Sequence, residues 1–154
     1  MAISWADILE WETGPLDSIG SDLLEASSGL RSAYEQGEGA LQAVQSQGNA
    51  VTAMRATTIS NLASLERALT NVNGALIAIE GARDGVATVM ANINALQAYA
   101  EANDCTILSD GSVTGKGTEN EQGEPSIALA SISINIGKIL KQADQVDTDL
   151  YHAL

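Results

Sequence analysis

Phenylalanine is absent from this 154-residue chain, and the remaining aromatics are two Trp and three Tyr. Sandwiches and barrels draw on aromatic and β-branched residues with frequent turns, so this stock argues against an all-β fold. Proline occurs twice and cysteine once. The lone Cys105 excludes an intramolecular disulfide and fits folding in a reducing compartment. Seven basic residues stand against twenty acidic ones, for a net charge of −13. Seven scattered cations neither neutralise a run of phosphates nor hold a chain on an anionic bilayer, which argues against nucleic acid and membrane surfaces as partners. No apolar run reaches the roughly 18 residues of a membrane span. The start of the chain carries Asp7 and Glu10 and lacks the basic region of a secretory signal.

Catalytic material is equally scarce. The only His is His152, close to the end of the chain. One His and one Cys cannot build a Cys/His zinc set, and a Ser-His-Asp triad would have to use that terminal imidazole. The pairs Asp22/Glu25 and Asp144/Asp147 have i,i+3 spacing but lack the Glu-x-x-His partners of a di-metal bundle site, so they read as solvated faces. The run from Gly111 to Thr118 has the glycines of a phosphate loop at the wrong spacing, and Gly117 stands where a Mg²⁺-binding hydroxyl belongs. The acidic residues around it, Asp110, Glu119, Glu121 and Glu124, lack the ladder of a calcium loop. No enzyme activity, cofactor or metal is expected.

What the chain does have is an apolar content of 45%, dominated by Ala, Leu, Ile and Val, which is enough for a core within one domain. Ser4 is an N-cap candidate for a short helix over residues 4–12, and Thr13-Gly14-Pro15 breaks it. From Pro15 to about Gln45, Leu16, Leu23, Leu30 and Val44 share a seven-residue register, with Ile19, Ala26, Ala33 and Ala40 three residues on, as in an a/d seam. Gly37 lies on that seam, where a small residue permits close helix approach. A turn follows at Ser46–Asn49.

A second seam starts at Val51. Leu65, Val72, Ile79, Val86 and Ile93 continue one register, and Leu62, Leu69, Leu76 and Met90 the companion, to about Asn103. Gly74, Gly81 and Gly85 interrupt this helix as bends or as crossing points. Thr106–Thr114 reads as a small hairpin around Asp110-Gly111, and Gly115–Pro125 as an exposed, mobile loop. Leu129, Ile136, Ala143 and Leu150, with Ile132, Ile139 and Val146, mark a last helix. The alternation in Ile132-Ser133-Ile134-Asn135-Ile136 competes as a strand, but the length of the heptad pattern favours helix.

Trp5 and Trp11 lie six residues apart. Two readings are open: both cover core leucines at one end of the bundle, or they form a recognition patch of the kind rich in Trp.

The order Ala6-Asp7-Ile8-x-x-Trp11, then Pro15-Leu16, an Ala/Leu-rich helical hairpin, Thr106-Ile107-Leu108-x-Asp110-Gly111-x-Val113 and a closing helix ending Asp147-Thr148-Asp149-Leu150 resembles a known pattern. It is similar to the N-terminal helical domains of actinobacterial type VII secretion substrates, relatives of the WXG100 (ESX) superfamily, over nearly the whole chain. Of the family's Trp-x-Gly turn, only Gly48 has a counterpart here. The family's Tyr-x-x-x-Asp/Glu export signal is matched in letter only by Tyr34 and Glu38, inside the first long helix.

The resemblance implies a hairpin exported folded from the cytoplasm by a signal-peptide-independent route. It would be paired with a small helical WXG100-like protein or a secretion component, or attached to an effector. The competing expectation is a homodimeric or higher coiled-coil bundle with no export role. Under either, the fold is all-α in one domain, 1–154. It comprises an N-terminal segment (1–14), a long antiparallel helical hairpin (15–103), a loop with a small β-hairpin (104–124) and a third packed helix (125–154). Trp5, Trp11, Leu16 and Gly48 are the partner-binding candidates.

Overall fold

The computed structural model describes residues 2–154. Helix α1 (Trp5–Leu9) is short because only one turn is capped. The Ser4 hydroxyl accepts the Asp7 N–H at 3.2 Å, and the Asp7 carboxylate accepts the Ser4 N–H at 2.9 Å, a capping box that satisfies two otherwise orphaned donors. Helix α2 (Gly14–Ala43) starts with Pro15 in its first turn, and Gly48 ends the connection to helix α3 (Asn49–Ala102). Strands β1 (Thr106–Ile107) and β2 (Val113–Thr114) pair antiparallel, Ile107 opposite Val113. A 3₁₀ turn at Lys116–Thr118 leads to helix α4 (Ile127–Ala153), capped by the Ser126 hydroxyl, which accepts the Leu129 N–H. The segment 132–136 is therefore helical. Its period-two look arises because Ile134 points outward while Ile132 and Ile136 are buried.

Helix α3 is the spine. It runs 54 residues without a break, which at 1.5 Å per residue is about 80 Å. Helices α2 and α4 both pack on it antiparallel, α2 along its N-terminal part and α4 along its C-terminal part. They follow one another along the spine instead of lying side by side, so the molecule is an elongated rod, mostly two helices thick.

The core sits at one end of that rod. Val89, Ile93, Leu96 and Ala100 of α3 meet Ile132, Ile136, Ile139 and Ala143 of α4, with Trp5, Ile8 and Cys105 closing the end. At Gly85 α4 packs tightly on the spine: a Cβ there would lie 2.6 Å from a methyl of Val146. Gly74 and Gly81 face open space, so neither is a crossing point, and α3 is continuous through both.

The α2–α3 arm is thinner in core and corrects the expected register. Ile19, Ala26, Ala33 and Ala40 are exposed, Ile19 by 46%. The companions of Leu16, Leu23, Leu30 and Gly37 that turn inward lie four residues on: Gly20, Ser27, Tyr34 and Leu41. A seam alternating three and four can be read in either phase. The choice went to the side with small and polar residues because the backbones approach closely there. A Cβ on Gly37 would come within 2.8 Å of Leu62, and the buried Ser27 hydroxyl donates to the Asn73 side-chain carbonyl at 2.8 Å.

The segment 115–125 is exposed over most of its length, as expected of a loop, but it is hydrogen-bonded back onto itself and onto the end of α3. Gly117 N–H donates to Asp104 O, Ser126 N–H to Thr118 O, and Asn120 accepts from the backbone of Gln122 and Glu124. Its glycines serve backbone contact. A Cβ on Gly117 would overlap Asn103 O at 1.6 Å, and one on Gly115 would lie 2.4 Å from Asp104 O. No helix of the described residues is long and apolar enough to cross a membrane.

Candidate functional site

The four partner-binding candidates part company in the fold. Trp5 is 2% exposed and belongs to the core, which corrects its place in a recognition patch. The tip of the β-hairpin covers it: Gly111, at φ +86°, lies against its Cβ, where a side chain would come within 3.3 Å. The Trp5 Nε1–H is buried without an acceptor, a cost of about 1–3 kcal/mol. Gly48 lies at the far end of the arm, about 45 Å along α2. Its φ of +137° favours glycine, so its role in this structure is to let the chain reverse between α2 and α3.

Trp11 and Leu16 come together. Helix α2 begins where α4 ends, Gly20 lying against Ile79 and Val146 against Gly85, and Trp11 stands beside the junction. The result is a cleft of about 470 Å³. Trp11, Leu16, Ala82, Val86, Val146 and Leu150 supply its apolar lining. Glu10, Glu12 and Asp147 supply its charge, and no Lys or Arg lines it. Among the described residues none of these three carboxylates has a cationic partner, because the ion pairs found are those of Arg83 with Asp17 and Asp84. Arg83 is held more firmly protonated by its hydrogen bond to Asp17 and by the charge of that carboxylate.

Sequence reasoning placed Val146 and Leu150 on the α4 seam but not in a site. Two signals were present. The seam of α4 runs on to its last turn, and Trp11 is flanked on both sides by glutamate. What was missing was the position at which α2 gives way to α4 on the spine.

Other features offer less chemistry. A groove of about 460 Å³ between α3 and α4 is lined by polar groups that meet across it, Asn92 donating to Gln142 at 2.8 Å. Among the described residues no three His, Cys, Asp or Glu side chains gather in a metal-binding set. His152 is exposed and stacks edge-on with Tyr151, their centroids 5.5 Å apart. Cys105 is buried, its thiol 3.4 Å from Asn103 O.

No family model matches the chain, and no curated protein or solved structure matches it either.

Proposed function

We propose that this chain is a non-enzymatic helical interaction module associated with type VII (ESX) secretion, which pairs with a small helical partner or carries an attached effector to export. The observation that supports the interaction role is unspent surface. The chain exposes 10,053 Å². A compact monomer of this mass exposes about 7,350 Å², leaving an excess of about 2,700 Å², the size of a stable obligate interface. Part of that surface is apolar: Leu24, Ile59 and Ile77 on the arm are 57–71% exposed. The export role rests on the residue resemblance given above.

The test is made in the native host. Loss of the type VII translocase ATPase should remove the chain from the culture medium while it accumulates in the cells, and native mass spectrometry should show a stoichiometric complex with a second helical chain. An extracellular level indifferent to the ATPase would overturn the export role.

A second reading, self-association without export, is supported by one side of α2. Ile19, Ala26, Ala33 and Ala40 repeat every seven residues and are exposed and uncharged, with Asp22 the one carboxylate on that stripe, so two copies could meet along its length. A native mass at a multiple of 15.9 kDa, with no second chain, would favour it.

A further inference from the structure

We propose that the cleft between the start of α2 and the end of α4 is a docking site for a cationic peptide segment, one bulky apolar side chain flanked by Lys or Arg. This deepens the reading of the chain as an interaction module and rests on it. Three observations combine. The floor, with Trp11, Leu16 and Leu150, is a half-buried apolar surface where the first turn of α2 and the last turns of α4 meet on the spine, above the buried Ala82 and Val86. At about 470 Å³ the cleft falls in the range of ligand pockets, large enough for a buried anchor residue. Its rim, Glu10, Glu12 and Asp147, carries three carboxylates without a cationic partner among the described residues.

Charge decides the class of occupant. A second copy of this chain would bring a net −13 to an acidic rim. A partner with Lys or Arg beside its anchor would bring opposite charge to the rim while its apolar residue fills the floor. Such complementarity acts mainly on association rate and specificity, and salt weakens it. The anchor itself supplies the burial, as aromatic and aliphatic hot spots do.

The probes are two labelled helical peptides that differ only in their flanks, acetyl-AKKALFALKKA-amide and acetyl-AEEALFALEEA-amide, titrated against the whole chain by fluorescence anisotropy. The basic peptide is expected to bind at least about tenfold tighter at low salt, with the gap narrowing as salt rises. Replacing Glu10, Glu12 and Asp147 together by Lys should reverse the preference. Trp11→Ala should weaken the basic peptide more than it lowers the stability of the free chain, which its packing against the core also reduces. If Trp11→Ala unfolds the chain, the charge reversal remains the deciding variant, since it leaves the floor intact.

Equal binding of the two peptides, no binding of either, or a basic preference that survives the charge reversal would each overturn the proposal. Binding of 2-phenylethylamine as tight as that of the basic peptide would also overturn it, by assigning the cleft to a small amine. If the peptides fail while the chain is still exported in a stoichiometric complex, the cleft is wrong and the interaction module stands. If peptide selectivity holds while export proves independent of the translocase, the export role is wrong and the cleft stands.

Discussion

Single glycines carry opposite meanings within one helix of this protein. Gly74 and Gly85 lie eleven residues apart on α3, yet a Cβ meets nothing at Gly74 and meets Val146 at 2.6 Å at Gly85. Gly74→Ala is therefore expected to raise stability by up to about 1 kcal/mol through helix propensity. Gly85→Ala should lower it by about 1–3 kcal/mol, because the β-branched Val146 has little rotamer freedom and α4 must move. Urea unfolding of the two variants checks both signs. Trp5 offers a second contrast. Trp5→Ala opens a large cavity in the core and should cost about 3–5 kcal/mol. Trp5→Phe loses ring volume but also removes an orphaned N–H, so the two effects offset and the loss should stay within about 1.5 kcal/mol. A Trp5→Phe loss as large as that of Trp5→Ala would show that the indole nitrogen has an acceptor.

At the scale of elements, two small devices hold the closed end together, and both rest on aspartate. Hydrogen bonds from Ser4 hold the Asp7 carboxyl below its usual range. Those from Ser112 do the same for Asp110 in the hairpin turn. A carboxyl depressed in the folded state stabilises fully above its unfolded pKa, and that contribution is lost as pH falls through the folded value. Below about pH 4, then, the α1 cap and the hairpin tip should loosen together and expose Trp5. A red shift of tryptophan emission in the Trp11→Phe background would report this. Asp110→Asn should reduce the pH dependence of that shift, and an unaltered pH profile would remove the turn from the account.

The arm answers to different residues. Leu65 and Leu69 are half-buried against α2, outside the cluster of buried residues at the α4 end. The double change Leu65→Asp and Leu69→Asp is expected to melt the arm alone, splitting thermal unfolding into two transitions. Ile136→Asp should instead unfold the end that holds the core. A single shared transition in both variants would mean that arm and core unfold as one unit.

The whole molecule is governed by its spine. One helix of about 80 Å bears two shorter ones in succession, and the chain has more surface than a compact domain of its mass. Small-angle scattering of a monomer should give a radius of gyration near 23 Å, the value for a rod of that length, against about 15 Å for a compact chain of this size. A value near the compact one would show the arm folded back. In complex with a helical partner, thermal stability should rise with partner concentration, as it does whenever a ligand binds only the folded state.

Much of this was legible in the sequence because it is local. Ser4 and Pro15 mark helix starts, one through its own hydrogen bonds and the other through its missing donor. The register of Ile79, Val86 and Ile93 on α3 and both registers of α4 follow from which side chains repeat on one face, although on α3 the buried companions there are Ala82, Val89 and Leu96, one residue before the expected register of Met90, and Asp110-Gly111 states a turn by itself. All of these were found within a few residues of their places.

What only the tertiary structure decided is relational. On α2, two phases of the same pattern differ by one residue, and the close approach to α3 at Gly37 and the Ser27–Asn73 pair selected the one with fewer apolar side chains. Trp5 and Trp11 are alike in sequence. One is buried because the hairpin tip reaches it, and the other lines a cleft because α2 and α4 share the spine end to end. Periodicity says that a helix has a face. It carries no information on which other helix meets that face, or where along its length the meeting stops, because those depend on packing between segments far apart in the chain.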